Sequence, residues 1–183
     1  MNPNLIIDIH LDISMNAMEF NRDQTLSLEE IRRSELFLTD GVVHRTRNTV
    51  CFPELRRGRI GVIVATQIAR YSPKFHQLPG WRSPQQAWAQ TQGQLAYYRA
   101  MEEIGQMRQL RTAAEVRAHA ELWRGADDAT AAGLPIGYLL SLEGADSILS
   151  WKHLERSRAD GLVALGPVHY GPGIYGHGTD DSG

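Results

Sequence analysis

Three polar side chains near the start of the chain have the types and the spacing of metal ligands. Asp8, His10 and Asp12 alternate with aliphatic residues in the run from Leu5 to Ile13. Because side chains alternate between the two faces of a strand, the three polar groups are expected on one face. Imidazole and carboxylate ligands bind divalent metals at about 2.0–2.2 Å, and ligands two residues apart can reach one ion. The pattern predicts a metal site, or else an edge strand whose polar face meets water.

A second candidate position is Glu143, which directly follows the apolar strand predicted over Ile136–Leu142. Parallel barrels place catalytic side chains at the carboxyl ends of their strands, so Asp12 and Glu143 are expected at the same rim. A carboxylate there can bridge two metal ions about 3.5–4 Å apart. The alternative is a solvated acidic side chain in a loop. We interpret Asp146, slightly farther on, as the cap of the following helix.

A third candidate position is His169, just past the strand predicted over Gly161–Leu165. An imidazole there can bind a metal or donate a hydrogen bond to an oxyanion. The alternative is a partly exposed loop histidine. His177 is expected to be a bystander, and the remaining histidines are given no role: His44, His76, His119 and His153.

Length, charge and composition describe one ordinary domain over residues 1–183. The chain is 42% hydrophobic and 22% charged, and its net charge of −2 favours neither nucleic acid nor an anionic membrane surface as a partner. No apolar run approaches the ~18 residues of a membrane span. The single cysteine, Cys51, excludes an internal disulfide and is expected to be an ordinary small side chain. With little room for a leader before the first strand, a cytoplasmic location is the default expectation.

Segments typical of strands and of helices alternate along the chain. Capping signatures at Ser27, Ser83 and Thr112 predict three helices. The β-branched run Ile60–Thr66 predicts a strand buried on both faces, as in parallel sheets. A loop with Pro73 and Pro79 follows that strand, and a further helix is predicted near Ile148–Ser157. The alternation predicts an α/β fold with a parallel sheet.

The number of predicted strands, roughly four, is too small for a closed barrel. A (β/α)8 barrel of the TIM type usually takes about 250 residues. We therefore expect the first half of such a barrel, which would leave two unpaired strand edges and an uncovered apolar face. The alternative is a complete small open sheet.

Three motifs, taken in this order, resemble the renal (membrane) dipeptidase family of zinc peptidases. They are Asp8-x-His10-x-Asp12, then Leu142-Glu143-Gly144 after an apolar strand, then Val168-His169. The segment from Asn48 to Gln67 is also similar to that family. The resemblance covers essentially the whole chain but only the N-terminal half of a family member, and the Gly-rich surroundings of His169 are closer to bacterial relatives.

This resemblance implies a distorted (β/α)8 barrel of the metal-dependent, hydrolase-like amidohydrolase type that holds two zinc ions and hydrolyses dipeptides. His10 and Asp12 match ligands of the first zinc, and Glu143 matches the carboxylate that bridges both ions. His169 matches a substrate-binding histidine near the scissile carbonyl. The implied reaction is attack of a zinc-activated hydroxide on the peptide carbonyl, with Glu143 and His169 as catalytic residues.

Later family residues have no counterpart before Gly183: two histidines for the second zinc, an aspartate and an arginine. The resemblance therefore implies at most one zinc ion here and a fragment that is inactive alone. The expected partners are a dipeptide substrate and either a second copy, forming a homodimer, or the missing C-terminal half. Two alternatives remain open: another amidohydrolase-type metallohydrolase, and a non-catalytic half-barrel that serves association.

Overall fold

The computed structural model describes residues 5–72, 80–169 and 171–179. The predicted loop residues Pro73 and Pro79, together with His76 and Gly183, lie outside these ranges. Within the ranges, no helix is both long enough and apolar enough to cross a membrane.

The strands form one sheet in which every pairing between named strands is parallel. Their bounds are β1 Ile6–Leu11, β2 Ile60–Ile68, β3 Met107–Gln109, β4 Ile136–Glu143 and β5 Leu162–Gly166. One side of β4 pairs with β2, while its other side pairs first with β3 and then with β5. With β1 beside β2, the strands β1, β2, β4 and β5 form a row of four parallel neighbours. This arrangement confirms the predicted α/β fold with a parallel sheet.

Helices connect the strands and cover the sheet. Their bounds are α1 Ile13–Met18, α2 Leu28–Glu35, α3 Phe52–Arg57, α4 Pro84–Glu103, α5 Ala113–Gly125, α6 Asp128–Ala131 and α7 Trp151–Ala159. The predicted caps are present: the side chains of Ser27, Ser83 and Thr112 each accept a backbone N–H from the first turn. The prediction for Asp146 is wrong, because α7 begins after Ser150 and the Asp146 carboxylate binds elsewhere.

The core lies between the central strands and the helices that cover them. Ile63 and Tyr138, on β2 and β4, are fully buried together with Tyr98 of α4 and Trp123 of α5. Most residues of β2 and β4 are buried, and for β2 this burial on both faces was predicted from its β-branched run. Because β2 and β4 lie at the centre of the sheet and of this core, they form the base from which the loops at their carboxyl ends project.

The outer strands of the sheet are much more exposed than the central ones. Ile9 on β1 is 79% exposed, and Val163 and Leu165 on β5 are also exposed. Among the described residues, β1 pairs only with β2, and β5 pairs only with β4. The two open edges expected of a half-barrel are therefore present in this part of the chain.

Candidate metal centre

Three of the predicted ligands converge at the carboxyl ends of β1 and β4. His10 lies near the end of β1, Asp12 follows that strand, and Glu143 is the last residue of β4. One ligand atom from each residue lies within 4.8 Å of the other two. The His10 Nε2 atom is 2.9 Å from Glu143 Oε2 and 3.6 Å from Asp12 Oδ1. The structure thus brings together two carboxylates and one imidazole at a single rim.

Local structure at the end of β1 fixes the orientation of Asp12. Asp12 occupies the residue before α1, but its side chain does not cap that helix. Its Oδ1 atom instead accepts a hydrogen bond from the hydroxyl of Thr66, a buried residue near the end of β2. The Thr66 carbonyl is in turn held by the hydroxyl groups of Tyr98 and Ser14, at 2.6 Å and 3.0 Å. Thr66 therefore links the candidate site to the core.

Asp8 does not join the cluster. Its Oδ1 atom accepts the backbone N–H of His10 at 2.9 Å, so the carboxylate is turned toward its own strand. The pairing of β1 with β2 is irregular between Asp8 and Leu11, which alters the simple alternation of faces expected from the sequence.

Glu143 is the most deeply buried of the three candidate ligands, with a side chain that is 9% exposed. Burial is the largest effect on its pKa and raises it, and the nearby Asp12 carboxylate also raises it. His169 and His10 act in the opposite direction, but the pKa of Glu143 stays above its ordinary value. The negative charge of Glu143 is therefore poorly compensated by the protein alone.

The chemistry of this cluster fits a divalent cation. The buried Oε2 atom of Glu143 accepts no well-aligned hydrogen bond from the described residues, although His10 Nε2 is close to it. A buried carboxylate oxygen without a donor is costly unless a positive charge lies beside it. Nitrogen and oxygen donors on three residues are typical of catalytic zinc sites, in which water or substrate takes the fourth position.

His169 lies at the same rim, in the segment that follows β5. Its Nε2 atom is 2.8 Å from Glu143 Oε1, and its side chain is 46% exposed. It contacts the Oε1 atom of Glu143 and does not belong to the three-residue group that could hold an ion. The structure therefore places His169 beside the candidate metal ligands, on the solvent side.

A small, shallow cleft with about 20 Å³ of free space opens next to Glu143 and His169. Its walls include Arg70 from the segment after β2, and Asp146. Neither Thr66 nor Arg70 was singled out from the sequence. The only signal for them is that polar residues interrupt or follow the apolar run of β2 at its carboxyl end.

The other histidines of the described ranges lie outside the cluster. His119 is buried against Gly61, and the His153 ring packs edge-on against Trp88 with ring centroids 4.5 Å apart. His44 contributes its backbone carbonyl to Arg22, and His177 lies in the segment beyond His169. None of them is part of the candidate metal group.

Fold and site together define a class: a parallel α/β sheet of the barrel type with candidate metal ligands at the carboxyl ends of its strands. No family model and no curated protein matches the chain. Solved structures do match. The chain aligns with the dipeptidase AC, a metallopeptidase of family M19, at a TM-score of 0.62 and 23% identity, covering 94% of this chain and 45% of that one.

Two other solved structures are similar. One is a metallopeptidase from Rhodobacter sphaeroides liganded with a phosphinate mimic of the dipeptide L-Ala-D-Ala, with a TM-score of 0.61, 21% identity, and coverage of 94% of this chain and 48% of that one. The other is the probable dipeptidase PvdM from Pseudomonas aeruginosa, with a TM-score of 0.52, 14% identity, and coverage of 80% and 38%. The chain has the fold of the aligned part of these structures and spans less than half of the length of each.

Proposed function

We propose that this chain is the metal-binding part of a zinc dipeptidase of the renal dipeptidase type, with residues 1–183 as one domain. The observation that carries the proposal is the convergence of His10, Asp12 and Glu143, with the buried Oε2 atom of Glu143 accepting no well-aligned hydrogen bond from the described residues. The similar solved structures support the reaction class, because they are dipeptidases or metallopeptidases, and one is liganded with a dipeptide mimic.

His10, Asp12 and Glu143 would hold a zinc ion, which when bound supplies Lewis acidity for hydrolysis of an amide bond. Thr66 keeps Asp12 oriented toward the other two ligands through its hydroxyl group. Glu143 has a second task, because its Oε1 atom contacts His169 Nε2 and so orients that imidazole. Outer contacts of this kind fix the direction of metal-binding carboxylates and of neighbouring imidazoles.

His169 is the side chain best placed to contact a substrate. It is half exposed, lines the cleft beside Glu143, and can donate a hydrogen bond to a peptide carbonyl oxygen. Arg70 adds a positive charge to the same cleft, which suits the carboxylate of a dipeptide. The proposed roles are metal binding for His10, Asp12 and Glu143, catalysis for Glu143 and His169, and substrate binding for His169.

The described residues contain one such ligand group, so we expect one zinc ion per chain. Turnover is expected to need further ligands from another segment or another copy. The test is zinc content after dialysis, together with zinc affinity from competition with a chromogenic chelator. We expect native protein to bind about one ion, and Asp12→Ala and Glu143→Ala each to weaken binding by at least about tenfold.

Glu121→Ala is the matched control, since Glu121 is an exposed carboxylate on α5 that pairs only with neighbouring Arg124 among the described residues. It should leave zinc affinity unchanged. Circular dichroism of the metal-free proteins checks that each variant is folded. Unchanged zinc affinity in both Asp12→Ala and Glu143→Ala would overturn the proposed function. A dipeptide panel run beside simple amides and esters tests the substrate class, and a preference for non-peptide amides would point to a different metallohydrolase.

The open edges of β1 and β5 favour a second candidate function, which is association through a non-catalytic half-barrel. This alternative predicts a uniform oligomer whose mass does not change when a chelator is added. Light scattering with and without chelator distinguishes the two functions. Folding that depends on zinc would contradict the association hypothesis, because metal affinity would then contribute to folding free energy.

A further inference from the structure

Asp146 has a buried carboxylate whose two oxygens bind two different loops. The residue is 3% exposed and lies in the turn that follows Glu143. Its Oδ2 atom accepts the backbone N–H of Tyr71, and its Oδ1 atom accepts the backbone N–H of Ile174, each at 2.8 Å. Hydrogen bonds from backbone N–H groups to a carboxylate are stronger than those to a neutral acceptor. One side chain thus joins the segments that follow β2, β4 and β5.

The loop that carries His169 is attached on both sides of that histidine. Before it, the Pro167 carbonyl accepts the backbone N–H of Ala145 at 3.1 Å. After it, Ile174 donates to Asp146. The contact with Asp146 is close, because a Cβ atom added to Gly173 would lie 2.9 Å from Asp146 Oδ1. Ala145 and Asp146, two consecutive residues just past Glu143, therefore fix the position of His169 relative to Glu143.

The loop that carries Arg70 is attached to the same carboxylate. Tyr71 donates to Asp146, and the neighbouring residues pair with Trp81: Ser72 donates to the Trp81 carbonyl, and Trp81 donates to the Arg70 carbonyl, each at 2.8 Å. Both walls of the cleft beside Glu143 are therefore held by Asp146. The three candidate metal ligands, in contrast, come from β1, the end of β4 and the residue before α1.

We propose that Asp146 is a positioning residue that holds the His169 loop and the Arg70 loop against Glu143. Its relation to catalysis rests on the proposed function, but its effect on geometry does not. Loss of the carboxylate is expected to release His169 and the cleft walls while leaving the zinc ligands in place. A residue that only stabilises the fold would affect the whole sheet. Loss of the Asp146 carboxylate should instead affect His169 and the cleft walls, which lie outside the metal cluster.

The experiment compares native protein with Asp146→Asn and Asp146→Ala. Asparagine keeps one carbonyl acceptor and places an amide group against the other N–H, whereas alanine removes both acceptors. We expect amide hydrogen exchange at Tyr71 and Ile174 to accelerate by at least about tenfold in the alanine variant, and by less in the asparagine variant. The nitrogen and proton signals of the His169 ring should shift toward those of a freely exposed histidine in the same order.

Zinc affinity distinguishes a residue that positions the two loops from a residue that the whole fold needs. It should change by less than threefold in both variants, since the ligands lie outside the two loops. Asp128→Asn, a change at an exposed carboxylate at the start of α6, should alter none of these signals. The proposal is overturned if the His169 signals and the two amides are unchanged in the alanine variant. It is also overturned if exchange accelerates throughout the sheet, because Asp146 would then be a general stability residue. If native protein binds no zinc, the proposed function fails while the exchange and ring signals still test the role of Asp146.

Discussion

At the amino end of the sheet, cationic side chains bind backbone carbonyl groups, whereas at the carboxyl end two carboxylates are placed side by side. Arg56 donates to the Leu134 carbonyl before β4, and Arg99 donates to the Asp160 carbonyl before β5, each at 2.8 Å. At the other end, Asp12 and Glu143 lie in one cluster, and burial and the Asp12 charge raise the Glu143 pKa. The difference teaches that the amino end is arranged for stability and the carboxyl end for binding a ligand.

The sharpest way to test this comparison is to remove a large side chain from the amino end. Trp123 is fully buried, and its ring lies so close to Gly61 that a Cβ atom there would be 2.3 Å away. We expect Trp123→Ala to lower the free energy of unfolding by about 3–5 kcal/mol, because it opens a cavity beside β2. Urea unfolding measures the loss. Zinc affinity under conditions where the variant is folded should stay within threefold, and a larger fall would show that the two ends are not independent.

A matched pair of charge-neutralising changes should lower stability at the amino end but not at the carboxyl end. Glu102 accepts hydrogen bonds from Gln109 N–H and Arg99, at 2.7 Å each, so Glu102→Gln should lower stability by about 1–2 kcal/mol. Glu143→Gln removes a poorly compensated buried charge and should leave the metal-free protein equally stable or more stable by about 1 kcal/mol. Chemical unfolding of both variants in chelator checks the signs. A clear loss of stability in both would break the comparison.

The smallest expected effect is a pH dependence from His119, at the amino end. Burial is the largest cause that lowers its pKa below the ordinary value of 6.5, and nearby Arg108 lowers it further, while the carbonyls of Gly61 and Pro135 oppose the shift. The unfolded chain therefore binds a proton more readily than the folded one. This contribution to stability is fully present above about pH 6.5 and is lost as the pH falls toward the folded pKa, by at most about 1.4 kcal/mol per pH unit.

The measurement is the difference in unfolding free energy between native protein and His119→Gln from pH 5 to pH 8. Subtracting the two profiles removes the contribution of the histidines at the rim. We expect the native protein to lose more stability on acidification than the variant. A flat difference profile would contradict the assigned cause, and a profile of the opposite slope would show that His119 is protonated in the fold.

Sequence patterns predicted those parts of the fold that depend on local chemistry. The helix starts at Ser27, Ser83 and Thr112 were predictable because a cap needs only a side-chain oxygen and the next few N–H groups. The buried run at Ile60 predicted a central strand for the same local reason. In contrast, β3 has only three residues and no distinctive alternation, so it was not predicted.

The candidate site was predictable only where its residues end recognisable strands. His10, Asp12 and Glu143 were expected at one rim because parallel strands share a direction. The role of Asp146 was wrongly predicted, since its partners Tyr71 and Ile174 are brought to it by the topology and carry no local signal. Thr66 was missed for the same reason: its link to Asp12 crosses between strands.

The irregular register between β1 and β2 would connect the proposed zinc ion with the folding of the chain. A strand shifted by one residue exposes its opposite face, so a slipped β1 would present Ile9 or Leu11 where His10 now stands. Because β1 is an edge strand with exposed aliphatic side chains, burial alone selects its register only weakly. A zinc ion bound by His10, Asp12 and Glu143 would stabilise only the pairing seen here. The ion would thus stabilise one register of β1 over the slipped ones. The alignment of β1 in the sheet and the completion of the metal site would then occur in the same step.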